Sequence, residues 1–313
     1  MSLIDKPNLL SLLILGGIVV VAATYGVITY TSAPDLEHFR VDENYEFAFN
    51  FDRPEVVKLP KKLQEISGLA GWKEEGQLIA IQDEDGLFFI VDANSGDILE
   101  EFNFGKDRDY EGVARKGDQI FVLERDGDIH QVEFVPGKQE YKSEKVETDF
   151  TYRNDTEGIC YDERTNSLLI IPKEDQFDAE GDGDYRRGIY AFSLETLSMS
   201  TTPAYYIDQF AVGNVVYGKN RPYLMKPSGV AVDPLTDDIY VIASVGNILV
   251  VIDRDNDVKQ IELLKEKVFR QPEGICFDES GNLYISSEGR GGKGTVASLP
   301  RKGGGPKTKQ ADE

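Results

Sequence analysis

A short motif recurs five times along the chain and constrains its fold more than any other feature. Each copy places a glycine in a run such as Glu-Ile-Ser-Gly-Leu or Gln-Pro-Glu-Gly-Ile, followed by a turn and an apolar run. The motif glycines are Gly68, Gly112, Gly158, Gly229 and Gly274. Short apolar runs separated by Gly-, Asn- and Asp-containing turns follow each copy, as antiparallel strands require. About four strands per repeat are typical of one blade of a β-propeller.

The spacing of the motif glycines favours five blades. Successive glycines are 44, 46, 71 and 45 residues apart, so one interval is longer than the rest. Its surplus is too short for a further blade of roughly 40 residues. We therefore predict an insertion, made of an acidic loop near Asp178 and an extended connection over residues 209–224. The predicted fold is an all-β, five-bladed β-propeller over residues 45–300, with a six-bladed ring as the alternative.

The two ends of the repeat region are predicted to close the ring together. The fifth repeat stops after three strands, whereas residues 45–51 alternate apolar and polar side chains with the period of a half-buried strand. Supplying this segment as the missing outer strand would remove an exposed sheet edge. Residues 301–313 have the composition of a disordered tail.

The first residues of the chain predict a membrane anchor. Residues 9–30 carry no charge and, as a helix, would reach roughly 33 Å, enough to span a bilayer. The candidate cleavage sites are poor, which favours an uncleaved anchor over a signal peptide. With Lys6 on the cytoplasmic side, residues 1–8 form a short cytoplasmic tail and residues 31–44 a polar stalk. The expected location is the cytoplasmic (inner) membrane, single-pass, with the propeller on the extracytoplasmic side.

The net charge and the few histidines and cysteines limit the partners and the kinds of site that the chain can have. A formal net charge of −22 argues against nucleic acid as a partner and suits cations or basic partners, although solubility through self-repulsion explains it equally. His38 and His130 are the only imidazoles, so a His-rich zinc site or a Ser-His-Asp triad is hard to build. Cys160 and Cys276 occupy the same repeat position, where the other copies have alanine. We predict packed free thiols rather than a disulfide.

The motif also places acidic residues where a propeller has its central channel. The first strand of each blade lines that channel, and residues two apart on a strand share a face. The positions one and three before the motif glycine supply six carboxylates, which we predict to converge at one channel mouth and to ligate a metal ion: Glu65, Asp109, Glu111, Asp155, Glu157 and Glu273.

Such a cluster repels itself unless cations or protons compensate it, and Lys226 offsets only one charge. Ca²⁺ accepts irregular, oxygen-rich sites more readily than Mg²⁺, so Ca²⁺ is the predicted cofactor. The alternative is that these carboxylates cap strand starts or face channel water.

A second acidic cluster lies in the long interval, and its members are Asp175, Asp178, Glu180, Asp182 and Asp184. It lacks the glycine and the terminal glutamate of an EF-hand, so a solvated acidic insertion is the preferred interpretation. The lone tryptophan, Trp72, is predicted to pack within its blade.

The motifs Glu-Ile-Ser-Gly-Leu, Asp-Tyr-Glu-Gly-Val, Asp-Thr-Glu-Gly-Ile and Gln-Pro-Glu-Gly-Ile, with Asp-Glu-Ser-Gly-Asn-Leu-Tyr-Ile-Ser after the last, resemble those of the SdiA-regulated family of bacterial envelope proteins. The family is distantly related to NHL-repeat propellers, and the resemblance covers roughly residues 57–299. It implies a five-bladed propeller with a calcium site, and it carries no established activity. The chain is similar, more remotely, to lactonase and phytase-like propellers, some of which are metal-dependent hydrolases. Ser67 and Ser228 replace glutamate in two copies, so a fully symmetric metal site is not expected.

Two functions follow from these predictions. The first is a membrane-anchored, calcium-binding propeller, monomeric, that acts as a binding or interaction module for a protein or small-molecule ligand. The second is a metal-dependent hydrolase of a lactone or phosphoester, in which the cation activates water or polarises the substrate. Its general base would be a spare carboxylate such as Asp109 or Asp155.

Overall fold

The computed structural model describes residues 37–177 and 185–303 of the chain. In these residues five antiparallel sheets of four or five strands follow one another along the chain. The predicted all-β, five-bladed β-propeller is confirmed.

Two short strands come before the first blade: β1 (His38–Arg40) and β2 (Glu55–Lys58), with a 3-10 turn at Lys61–Leu63 after them. Blade 1 consists of β3 (Ile66–Gly71), β4 (Gln77–Gln82), β5 (Leu87–Asp92) and β6 (Ile98–Asn103). Blade 2 consists of β7 (Tyr110–Lys116), β8 (Gln119–Glu124), β9 (Ile129–Glu133) and β10 (Glu144–Val146). Blade 3 consists of β11 (Thr156–Asp162), β12 (Ser167–Pro172), β13 (Arg186–Ser193), β14 (Ser198–Met199) and β15 (Tyr205–Asp208), the last two both pairing with β13.

A helix, α1 (Gln209–Tyr217), connects blade 3 to blade 4. Blade 4 consists of β16 (Lys226–Val232), β17 (Ile239–Val245), β18 (Ile248–Ile252) and β19 (Val258–Leu263), with β1 added at its outer edge. Blade 5 consists of β20 (Pro272–Phe277), β21 (Leu283–Ser287) and β22 (Thr295–Leu299), with β2 as its fourth, outer strand.

The motif glycines are the points at which neighbouring inner strands touch. A Cβ on Gly68 would lie 2.9 Å from the Cα of Gly112, and a Cβ on Gly158 would lie 2.9 Å from the Cα of Gly229. The ring closes at Gly274, where a Cβ would lie 2.8 Å from the backbone nitrogen next to Gly68. A side chain at these positions would force the strands apart, which explains why every copy of the motif has glycine.

The core lies between the blades and is built from alternate residues of the strands. Phe88 and Phe102 stack at 4.9 Å between ring centroids, and Trp72 meets Phe134 edge to face at the same distance. Trp72 therefore packs against the neighbouring blade. Both cysteines are free thiols, as predicted.

The predicted closing strand was placed too early in the sequence. Residues 45–51 are not a strand; their buried side chains Phe49 and Phe51 pack into the core between blades 4 and 5. The outer strand of blade 5 is β2, in which Val56 pairs with Ala297 and Val57 with Val296. The alternation of apolar and polar residues over 45–51 correctly indicated which side chains are buried. An extended segment, however, can bury alternate side chains without joining a sheet.

The connection predicted to be extended over residues 209–224 instead contains α1. Asp208 caps the helix by accepting a hydrogen bond from Phe210 N at 2.8 Å, and Gly218 ends it with a φ of 62°. Val212 and Val216 are buried against strands of blades 3 and 4. The long interval therefore holds a fifth strand and a helix, and this insertion is packed onto the ring rather than looped away from it.

The predicted boundaries at the two ends need correction. Strand β1 lies within the predicted stalk, 31–44, and pairs with β19, so the propeller begins before residue 45. Arg301 donates to Gly281 O at 3.1 Å and Lys302 N to Ala48 O at 2.8 Å, so the first residues of the predicted tail belong to the ring. The predicted anchor, 9–30, and the acidic loop from Asp178 to Asp184 lie outside the described residues. Across 37–177 and 185–303, none of the helices has the length and apolarity needed to cross a bilayer.

Candidate metal centre

Every inner strand carries a register irregularity next to its motif glycine. In blade 3, Thr156 pairs with Pro172 and Gly158 with Ile171, which leaves Glu157 without a partner across the ladder. The same shift occurs in the other four blades. Such β-bulges re-aim the side chain of the extra residue, here towards the channel.

Three of the six predicted carboxylates meet at the centre of the ring. Glu111, Glu157 and Glu273 line one small space together with Ser67. Its free volume is about 10 Å³, roughly the room that a single water-sized particle needs. In the fourth blade, Ser228 does not line this space; its hydroxyl donates to Pro272 O at 2.6 Å.

An apolar layer closes the channel behind the glutamates. It is formed by the residue that follows each motif glycine: Leu69, Val113, Ile159, Val230 and Ile275. All five are buried. The glutamates therefore lie in a polar space with aliphatic side chains on one side, where charge is costly.

Burial raises the pKa of all three carboxyls, and repulsion from neighbouring carboxylates adds to this effect. Burial, followed by the charges of Glu157, Asp109 and Glu273, raises the pKa of Glu111 to about 10. Burial and the charge of Glu157 raise the pKa of Glu273 to about 8. Burial also raises the pKa of Glu157, against the effect of Lys173, whose Nζ lies 2.5 Å from Glu157 Oε1. Without a metal ion, these side chains hold protons that ordinary glutamates release.

Two oxygen atoms in this space lack hydrogen-bond partners. Glu273 Oε2 and Ser67 Oγ are buried and accept no hydrogen bond from the described residues. Buried polar atoms are nearly always satisfied, so an orphaned carboxylate oxygen is a position where a proton, a water or an ion would be stabilised.

The other three predicted carboxylates lie outside this space. Asp109 and Asp155 share Arg125, which contacts Asp155 through Nε and Asp109 Oδ2 through Nη1 at 3.4 Å. Glu65 is exposed, and its charge contributes, after burial, to raising the pKa of Asp83 to about 6. The expectation that both motif positions point the same way assumed a regular strand, and the bulge interrupts that period.

Sequence reasoning missed four charged residues at the same end of the blades as the glutamates. Each follows the second strand of its blade: Asp83, Arg125, Lys173 and Glu288 come directly after β4, β8, β12 and β21. Because the second strand runs antiparallel to the first, its last residue and the motif lie at the same end of the blade. Reading the residue after each second strand would have located all four.

Tight clusters of metal-ligand atoms occur elsewhere in the described residues. One consists of Glu37, His38 and Asp52, and the other of Glu124, Asp126 and Asp128. In each cluster three ligand atoms lie within 4.8 Å of one another, which is not the case for the channel glutamates. Nearby cations already compensate them, since Lys265 contacts Glu37 at 2.8 Å and Lys145 contacts Glu124 at 3.1 Å.

The fold and the site define a five-bladed β-propeller with a buried carboxylate ring in its channel. The SdiA-regulated family model matches residues 209–290, which confirms the family resemblance over that part of the chain. The model of the WD40 domain of anaphase-promoting complex subunit 4 matches residues 29–134. No curated protein matches the chain.

Solved structures support the fold. A luciferin-regenerating enzyme is 12% identical, with a TM-score of 0.50, over 82% of this chain and 98% of its own. A glutaminyl cyclase from Myxococcus xanthus is 11% identical, with a TM-score of 0.51, over 84% of this chain and 96% of its own. A gluconolactonase from Xanthomonas campestris is 12% identical, with a TM-score of 0.48, over 86% and 97%. At these identities the first two structures support the fold alone.

Proposed function

We propose that this protein is a calcium-binding β-propeller, anchored in the cytoplasmic membrane by residues 9–30, that acts outside the cytoplasm as a binding or interaction module. The observation that carries the calcium site is the meeting of Glu111, Glu157 and Glu273 around a space the size of one small particle. The anchor rests on the uncharged sequence of residues 9–30.

The charges fit a divalent ion. Three ionised glutamates and Lys173 together carry a charge of −2, which one Ca²⁺ would neutralise. In a buried site, repulsion between carboxylates is far stronger than in water, so this compensation is worth correspondingly more. The partnerless oxygens Glu273 Oε2 and Ser67 Oγ are of the type that Ca²⁺ prefers.

Binding requires a small rearrangement of side chains. Oxygens that share one Ca²⁺ lie about 2.3–2.6 Å from it, and therefore within about 5 Å of one another. The three glutamates do not all meet this condition. Glu111 is the least buried of them, and a change of its rotamer is the simplest way to bring a third carboxylate inwards.

Two observations favour binding over hydrolysis. A free volume of about 10 Å³ leaves no space for a substrate beside the ion. Asp109 and Asp155, the carboxylates considered as general bases, lie outside this space and both contact the Arg125 guanidinium.

Calorimetric titration of the full-length chain with CaCl₂ at pH 8.5 tests the proposal. We expect one saturable site, and a gain in thermal stability of about 2.7 kcal/mol at a calcium concentration 100 times Kd. Glu157→Gln should weaken binding by at least about 100-fold, because it removes the central carboxylate. Glu195→Gln, at an exposed glutamate in blade 3, is the matched control.

Three outcomes would count against the proposal. Absence of calcium binding at pH 8.5 would refute the site. If Glu157→Gln left calcium binding intact, the calcium site would have to lie in another acidic cluster, such as the loop at Asp178. Turnover of a lactone or phosphoester that a chelator abolishes would replace the binding module by the hydrolase.

A further inference from the structure

The opposite mouth of the channel holds a much larger space. A pocket of about 520 Å³ opens there, on the other side of the apolar layer from the glutamates. Leu69, Val113, Ile159 and Ile275 of that layer form its floor. Small-molecule sites in proteins commonly have volumes of about 300–1,000 Å³ and mainly apolar linings with a few polar groups. This pocket fits that description, whereas the glutamate site does not.

Aromatic rings form part of the wall, and packing holds them in place. Trp72, Tyr161 and Phe277 line the pocket. Phe277 meets the buried Tyr240 edge to face with 5.0 Å between ring centroids, and the Tyr161 hydroxyl lies 3.2 Å from Asn166 Oδ1. Rings fixed in this way present flat apolar surfaces without an ordering cost when a planar ligand binds.

The polar groups of the pocket differ in whether they are already occupied. Arg115 donates to Gly71 O at 2.7 Å and to Gly117 O at 2.9 Å, and it contacts Glu279 at 3.2 Å. Asp278 accepts hydrogen bonds from Asn282 and from the Tyr284 hydroxyl at 3.1 Å. Arg115 and these two carboxylates therefore hold the rim together and are not free to receive a ligand.

Besides the exposed Glu163, the remaining charged residue that lines the pocket is Lys116. Its Nζ donates to the neutral Asn166 Oδ1 at 2.7 Å and lies 5.4 Å from the centroid of the Tyr161 ring. Over residues 37–177 and 185–303, no carboxylate lies within ion-pair distance of it. In a chain with a net charge of −22, a lysine beside a pocket without a carboxylate partner is a recognition group for an anion.

We propose that this pocket binds a small aromatic molecule that carries one carboxylate. The ring system packs against Tyr161 and Phe277 over the aliphatic floor, and the carboxylate pairs with Lys116 Nζ. Glu157 and Tyr161 are four residues apart on β11, about 13 Å, so the glutamates of the far mouth repel this carboxylate only weakly. The site is independent of calcium binding at that mouth.

The single tryptophan permits a test that reports on this pocket alone. Full-length protein labelled with 5-fluorotryptophan gives one fluorine resonance, from Trp72, which is followed during titration with 2-naphthoate and with the uncharged 2-naphthamide. We expect a saturable shift with naphthoate and roughly fivefold weaker binding of naphthamide, as one partly exposed ion pair provides. Lys116→Gln should weaken naphthoate binding by the same factor and remove the discrimination.

The control is Lys138→Gln. Lys138 also lies over an aromatic ring, with its Nζ 4.8 Å from the Tyr141 centroid, but it does not line the pocket. The Lys138→Gln variant should bind both probes as the wild type does. An unperturbed Trp72 resonance in each ligand-free variant verifies folding. Absence of a saturable shift with either probe would overturn the site. Equal affinities for the two probes, or discrimination that survives Lys116→Gln, would overturn the assigned ligand class.

Discussion

The two mouths of one channel differ in almost every property that decides what a site can bind. At one mouth, Glu111, Glu157 and Glu273 surround about 10 Å³; at the other, aromatic and aliphatic side chains surround about 520 Å³. Both are built from the same five inner strands. The difference arises because successive channel-facing positions of the repeat carry different chemistry. The residue before the glycine is polar and the residue after it is aliphatic, whereas the residue two further on differs between blades: Gly71, Arg115, Tyr161, Val232 and Phe277.

This arrangement separates the two sites without a second domain. The aliphatic layer is common to both, since it closes the acidic space and forms the floor of the pocket. A channel blocked in this way offers two separate spaces rather than a passage. The following predictions test that separation, from the largest expected effect to the smallest.

The largest effect should come from the glycine ring, on which both mouths depend. A Cβ at Gly158 would lie 2.8 Å from Ile171 Cγ2 and 2.9 Å from Gly229 Cα. Gly158→Ala should therefore cost about 3 kcal/mol, as overpacking does, and lower Tm by about 6–12 °C. Thermal unfolding followed by circular dichroism measures this, and loss of both calcium and naphthoate binding should accompany it.

Gly117→Ala is the matched comparison. Gly117 has a φ of +61° and nothing within 4 Å of the added Cβ, so only backbone strain opposes the change. A cost of about 1 kcal/mol is expected. If Gly158→Ala were no more harmful than Gly117→Ala, close contact between the inner strands would not be what maintains the ring.

The motif glycines also show how much of the fold could be predicted from sequence. Their spacing and the turn residues were enough for five four-stranded blades. The helix α1 could not be predicted from the sequence, because Val and Gly are poor helix formers and Gly213 lies in the middle of the helix. That glycine is required by tertiary contact, since a Cβ there would lie 1.8 Å from Arg221 O. Such a requirement cannot be read from local pattern.

The second prediction concerns calcium affinity. Glu111 and Glu273, with pKa values raised to about 10 and about 8, must lose their protons before they ligate an ion. Affinity should therefore increase as the pH rises from 6 to 8, by about tenfold per pH unit for each proton released. Titrations in buffers of different ionisation enthalpy count those protons. An affinity independent of pH would show that these carboxyls do not ligate. Naphthoate binding at the other mouth should not follow this profile.

The site itself was only half predictable. The residue before each glycine was predicted to face the channel, because every repeat offers it at the same position, and in four of the five copies it lines the small space: Ser67, Glu111, Glu157 and Glu273. The separation of Asp109 and Asp155 from the channel depends on the bulge, which is a property of strand pairing and leaves no residue signature here. Their shared partner Arg125 comes directly after the second strand of blade 2, so strand order had to be known first.

The third prediction concerns how much the buried glutamates destabilise the fold when no calcium is bound. A glutamate whose folded pKa lies above its unfolded value stabilises the fold at low pH, and that stabilisation is lost as pH rises through the folded pKa. Calcium-free protein should therefore become less stable between about pH 5 and pH 10. Glu111→Gln should raise stability at pH 8.5 by at least about 1 kcal/mol, because the amide does not have to take up a proton on folding, as the Glu111 carboxyl does at that pH. Melting in excess chelator measures it, and a destabilised variant would contradict the account.

The smallest expected effect on stability comes from a residue at neither mouth of the channel. It also depends on pH and must therefore be distinguished from the effect of the glutamates. His38 on β1 contacts the buried Glu262 through Nδ1 and Asp52 Oδ2 through Nε2 at 3.2 Å. Burial lowers the pKa of His38, but the hydrogen bond and the charge of Glu262, helped by Asp52, raise it overall above 6.5.

His38 therefore stabilises the fold below about pH 6.5, and this contribution disappears as pH rises through the raised value. Because the ring is partly exposed, His38→Gln should cost less than about 1 kcal/mol at pH 6 and nothing well above the folded pKa. Wild-type stability thus falls with rising pH for two reasons, one at the channel and one at the outer edge of blade 4. Melting curves from pH 5 to 10 distinguish them: His38→Gln should flatten the profile only near neutral pH, whereas Glu111→Gln should flatten it from about pH 5 to pH 10. If His38→Gln alone removed the whole slope, the channel glutamates would already be compensated without calcium.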